Sequence, residues 1–114
     1  MEVYMAISRD MTAAEASVLN YIKNKATHEL PIEASSIRDV FHYDKRTLEN
    51  IIESLRVNFG HPIVAKKQKP NGYYIPKTQE EREEGLAPYK RQILTEQKNL
   101  AAIMAVDLEE YWRN

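Results

Sequence analysis

The chain has no cysteine. That excludes a disulfide framework and a thiolate metal site, and it fits a reducing cytoplasm. No apolar run approaches the ~18 residues that a membrane span needs. The opening MEVYMAISRD shows no basic start leading into a long apolar stretch, so a signal peptide is not expected. Catalytic signatures are equally scarce. There is no Gly-rich phosphate loop, no H-E-x-x-H and no G-x-S-x-G. His28, His42 and His61 lie fourteen and nineteen residues apart, and none has a helical His partner at metal-ligand spacing. The acidic run EEREE at 80–84 fits a solvated helix start better than a metal site. We therefore expect no enzyme, no metal and no cofactor.

What is present is material for one core. The 114 residues are 43% hydrophobic and 29% charged, ordinary values for a single globular domain. The net charge of −1 hides an uneven distribution. Residues 1–60 carry seven basic and nine acidic side chains, and residues 78–114 carry five and eight. Residues 61–77 between them carry four lysines and no acid. A partner senses potential within a Debye length of about 10 Å, so this local +4 matters more than the overall balance.

The pattern of apolar residues predicts a mainly α protein with a small β-hairpin. After an arm over residues 1–10, in which 2–7 could form a strand, Thr12 and Glu15 make a capping box for a first helix. Ala14, Val18, Leu19 and Ile22 give that helix its inner face. Leu30–Ile32 is broken by Pro31 and can be an edge strand at most. Ile37, Val40 and Phe41 mark a helix of about two turns. Asp44 then caps a second one that turns Leu48, Ile51, Ile52 and Leu55 inward. The pair reads as a helix-turn-helix, stopped by Gly60 and Pro62. The stretches PIVAKKQK and YYIPK flank a Pro-Asn-Gly turn, the signature of a tight hairpin. Residues 11–77 thus have the element order of a winged helix-turn-helix. Residues 78–114 form a helical extension, opened by a Thr78–Glu81 capping box and expected to kink or break at Gly85 and Pro88.

On the helix over 44–58, an inward Leu48, Ile51, Ile52 and Leu55 puts Arg46, Asn50 and Glu53 on the outer face, with Lys45, Thr47 and Ser54 towards its flanks. Arg46 has the fork to meet guanine O6 and N7, and Asn50 the amide to pair adenine N6 and N7. Thr47 and the first-turn amides suit a phosphate. Lys66, Lys67 and Lys69, with Asn71 at the tip of the 66–72 hairpin, suit the DNA backbone or minor groove. Lysines on an exposed hairpin also discourage edge-to-edge aggregation. Leu100, Ile103, Met104, Leu108, Tyr111 and Trp112 give the extension a long apolar stripe. It either joins two copies as a homodimer or packs back on the first helix.

The stretch LRVNFGHPIVAKKQKPNGYYIPKTQEE resembles the small winged-helix proteins of bacteriophages and mobile elements in Gram-positive bacteria. In those proteins a recognition helix ending L-R precedes a G-x-P-I strand, and a G-Y-Y-I-type strand after the wing leads into a Glu-rich helix. The resemblance covers roughly residues 12–84. It implies a double-stranded DNA partner and a role as a small transcriptional regulator or an accessory replication or recombination factor. The alternative is a protein-interaction module that grips a host or phage protein, since fold does not fix function.

Overall fold

The computed structural model describes residues 9–113. The strand expected within residues 2–7 lies outside that range. The elements run α1 (Ala13–Lys25), α2 (Ala34–Phe41), α3 (Lys45–Val57), β1 (Val64–Lys66), β2 (Gly72–Tyr74), α4 (Gln79–Met104) and α5 (Leu108–Arg113). The protein is mainly helical with one two-stranded antiparallel hairpin. None of the described helices is long and apolar enough to cross a membrane.

Each helix start follows from its cap. The Thr12 hydroxyl accepts the Glu15 N–H, and the Glu15 carboxylate accepts the Thr12 N–H, so the box on α1 closes in both directions. Asp44 accepts the Thr47 N–H at 2.7 Å and starts α3. Thr78 accepts the Glu81 N–H, but the Glu81 carboxylate reaches back to the N–H of Lys77 rather than Thr78. Between α2 and α3 the chain reverses through His42, which adopts a left-handed conformation (φ 60°) and closes the last turn of α2 onto the Arg38 carbonyl. Gly60 (φ 72°) ends α3, and the His61 N–H reaches back to the Leu55 carbonyl.

The core gathers Val18, Leu19 and Ile22 from α1, Ile37 from α2, Leu48, Ile51, Ile52 and Leu55 from α3, and Ile63, Val64 and Tyr74 from the hairpin. Burying each such side chain contributes about 1.5–3 kcal/mol before entropy is counted. Val40 is a correction to the expected core: it is 49% exposed, and Ala34, Ile37 and Phe41 turn α2 inward. On an eight-residue helix packed chiefly against α3 the inner stripe is narrow, and Val40 falls outside it.

The hairpin is not the tight Asn-Gly turn expected from the sequence. Lys66 pairs with Gly72, so residues 67–71 form the loop and Gly72 is the first residue of β2. Its glycine serves a close approach. Ile32 bridges to Tyr73 through two backbone hydrogen bonds (2.8 and 3.0 Å), supplying the expected edge strand as a single bridged pair. A Cβ on Gly72 would stand 2.5 Å from the Ile32 carbonyl carbon, and its φ of 145° is itself one that L side chains rarely adopt.

The extension also departs from expectation. α4 continues unbroken through Gly85 and Pro88, and the interruption comes after Met104. Proline removes one helical hydrogen bond, but the turns around it are docked on β1, with Leu86 and Tyr89 half-buried there. Gly85 is buried for closeness rather than for bending: a Cβ would stand 2.6 Å from Val64 Cγ1 and overlap the Tyr74 hydroxyl. That hydroxyl donates to the Glu81 carbonyl at 2.7 Å. At 26 residues α4 is about 39 Å long. It gives the molecule extents of 60 × 35 × 35 Å. Its outer half does not fold back on α1. Leu100, Ile103, Met104, Leu108, Tyr111 and Trp112 are all 58–77% exposed.

One buried charge ties three parts together. The Glu15 carboxylate, in a residue only 5% exposed, receives both terminal nitrogens of Arg9 (2.9 and 3.0 Å) and the Ser54 hydroxyl of α3 (2.6 Å). The Arg9 hydrogen bonds, above all, hold its pKa down from the usual 4.5 to about 2, with Ser54 and Thr12 adding to the effect and burial opposing it.

Two outcomes follow from this packing. A depressed carboxyl pKa adds stability that is complete above the usual 4.5 and is lost as the pH falls through about 2. Glu15→Gln should lose about 1–3 kcal/mol at neutral pH and show a flatter stability profile over that acid window. Urea unfolding at several pH values checks it. Gly85→Ala should destabilise by about 1–3 kcal/mol through overpacking, although alanine is intrinsically the better helix former by about 1 kcal/mol. A more stable Ala variant would show that α4 does not press on Tyr74 as described.

Candidate nucleic-acid interface

α3 is buried along one side and open along the other. With Leu48, Ile51, Ile52 and Leu55 in the core, Lys45, Arg46, Thr47, Glu49, Asn50 and Glu53 are left exposed. Arg46 and Asn50 lie one turn apart, and neither side chain hydrogen-bonds to another described residue. Their guanidinium and amide groups are therefore available to a ligand. Glu49 and Glu53 share that exposed surface and oppose a polyanion. Arg56, at the far end, is steered by a hydrogen bond from its Nε to the Ile63 carbonyl (2.8 Å).

Two residues expected on this surface sit elsewhere or are already engaged. Ser54 faces the seam between α1 and α3, donating to Glu15 and accepting from the Asn58 amide at 3.1 Å. Its hydroxyl belongs to the internal network. Thr47 remains exposed, but its N–H is taken by Asp44, whose carboxyl is held below its ordinary pKa first by that N–H and then by the Thr47 hydroxyl. A carboxylate thus occupies the place proposed for a phosphate.

The hairpin lysines divide in the same way. Lys66 is half-buried, its Nζ donating to the His28 carbonyl at 3.0 Å. Lys67 lies 4.5 Å from the Tyr89 ring centroid and donates to Gln92 Oε1 at 3.2 Å. Lys69 and Asn71 stand exposed in the 67–71 loop with no side-chain partner among the described residues. On the adjoining wall Tyr73 is half-buried. Burial, above all, raises its pKa; Glu49 and Tyr89 add to this, while Arg56 pulls the other way.

Arg38 was not anticipated from the sequence. It sits in the last turn of α2, beside the reversal into α3, and its Nε is buried with no hydrogen-bond partner among the described residues. A basic residue at a helix C-terminus was the only available signal. The fold also brings His28, Glu29 and Glu81 together, one ligand atom of each within 4.8 Å of the others, a grouping invisible in the histidine spacing. These groups have partners already. His28 Nε2 is 3.0 Å from the Glu84 carboxylate, and Glu81 accepts the Lys77 N–H. They are best described as a polar cluster beside the start of α4.

Comparison of the chain with protein-family models, with curated proteins and with solved structures finds no match.

Proposed function

We propose that the chain is a winged helix-turn-helix protein that binds double-stranded DNA, with α3 in the major groove and the hairpin loop along the backbone. The role that fits is a small regulator of transcription or an accessory factor in replication or recombination. The observation that carries this is the state of α3: Arg46 and Asn50, one turn apart and without a side-chain partner among the described residues, on the open side of a helix whose other side is in the core. Arg and Asn are the two side chains whose geometry pairs bidentately with guanine and adenine. Support comes from the order helix, bridged strand, helix, turn, helix, hairpin, and from the four lysines without an acid between residues 61 and 77. Lys45, Lys67 and Lys69 supply sequence-independent attraction, and Arg46 and Asn50 supply choice. The proposed role involves no catalysis.

Gel shifts on duplex DNA over a salt series test this directly. Affinity should fall steeply with salt, as counterions released from phosphates return. Lys69→Gln should reduce the slope of log affinity against log salt by roughly 0.9, cognate and random DNA weakening together. Lys66→Gln should leave the slope unchanged, because its ammonium is spent on His28. Absence of binding to any duplex at low salt would transfer the proposal to a protein partner, for which pull-downs with the same variants are the measurement.

Base readout has its own signature. Arg46→Ala and Asn50→Ala should each cost about 1–3 kcal/mol on a cognate site and much less on random DNA. Equal losses on both would mean that α3 positions the protein without reading sequence.

A further inference from the structure

The outer half of α4 is a helix with one side unused. The apolar positions of this helix recur on one side: Leu86, Tyr89 and Ile93 at spacings of three and four, then, past Glu96 and Gln97, Leu100 and Ile103; Leu86 and Tyr89 are half-buried against the hairpin and the rest are exposed beyond it. The same stripe therefore begins in the core and runs off the end of the domain. Such a stripe needs a second surface, since between helices this spacing forms a continuous seam. Where it leaves the domain it borders a groove of about 520 Å³, lined by Pro62, Ile63, Leu86, Tyr89 and Ile93 with Arg56 at its edge.

We propose that the occupant is the same segment of a second copy, paired antiparallel about a two-fold axis near Ala102. Three observations favour this occupant. The first is charge: residues 90–98 carry Lys90, Arg91 and Lys98 against Glu96, whereas residues 107–113 carry Asp107, Glu109 and Glu110 against Arg113. Antiparallel pairing sets the basic end of one copy beside the acidic end of the other. Parallel pairing would set Glu109 and Glu110 beside themselves. The second is exposed apolar surface: Leu100, Ile103, Met104, Leu108, Tyr111 and Trp112 are each 58–77% exposed, and a two-fold pairing covers both sets at once. The third is the centre: Leu100, Ile103 and Met104 lie on one side of α4 beside the axis, so the same exposed apolar side chains face each other across it. In this arrangement Tyr111 and Trp112 of each copy, 65% and 77% exposed when alone, stand across from Ile93 at the mouth of the partner's groove. The pairing is independent of DNA binding.

The full chain tests it. Sedimentation equilibrium at tens of micromolar should give twice the 13.3 kDa chain mass. Leu100→Glu combined with Ile103→Glu should return the mass to 13.3 kDa with helicity retained, because both side chains are exposed in the single copy. A wild-type monomer, or a dimer that survives the double substitution, overturns the proposal. If that variant fails to fold, Glu109→Lys with Glu110→Lys alters only the acidic end. Dimerisation about tenfold weaker or more supports the pairing, and unchanged dimerisation overturns it. Direction has a separate readout. The chain has no cysteine, so Lys90→Cys takes a single spin label, and two labels should lie about 36 Å apart along the paired helices. A separation under about 20 Å would mean parallel helices and would overturn the antiparallel arrangement.

Discussion

The structure turns on Tyr74. Its side chain is completely buried, its ring meets His28 edge-on at 5.3 Å, and its hydroxyl donates to the Glu81 carbonyl in the first turn of α4. Burying a phenol demands a partner for the hydroxyl, and the helix supplies one. The ring demands space, and Gly85 supplies that. Together these fix where α4 lies on the hairpin, and hence where Lys67 meets Tyr89 and His28 meets Glu84. Burial, followed by the nearby Glu81 and Glu84, raises the Tyr74 pKa, so the neutral hydroxyl is the form the fold holds.

At the other end of the domain, Glu15 plays the corresponding part with a charge. Its carboxylate joins the segment before α1, the start of α1 and the last turn of α3. A buried carboxylate is costly unless its oxygens are satisfied, and here four donors from three segments converge on two oxygens. That network absorbs Ser54 and aligns α3 against α1. The side of α3 bearing Arg46 and Asn50 remains open because polar attachment is confined to its inner flank. The candidate recognition surface is thus defined by what the core leaves unused.

Much of this was legible in the sequence, for reasons that can be named. Helices α1 and α3 carry strong caps and unbroken apolar spacing, and the four inward residues of α3 are buried as their spacing requires. Local signals failed where a distant neighbour decided the outcome. Gly85 reads as a helix breaker, yet its role is set by Tyr74, eleven residues earlier. Pro-Asn-Gly reads as a tight turn, yet Gly72 is reserved for the backbone of Ile32, forty residues away. Lys66 and Ser54 look like solvent-facing polar residues, and their partners, His28 and Glu15, lie thirty-eight and thirty-nine residues off. Single-residue properties do not show such pairings. The open side of α3 was legible from spacing alone, but the available side chains on it are fewer than the sequence implied.

The length of α4 has a geometric consequence for any two-fold assembly built on it. Its outer half, about 22 Å from Lys90 to Met104, projects from the globular part and acts as a spacer. Two such segments laid antiparallel would hold the two α3 helices at opposite ends, farther apart than the ~34 Å between half-sites one helical turn apart on DNA. One short palindrome would then not engage both copies. The pair would instead suit widely spaced repeats or hold two separate duplexes at once, in the manner of a brace.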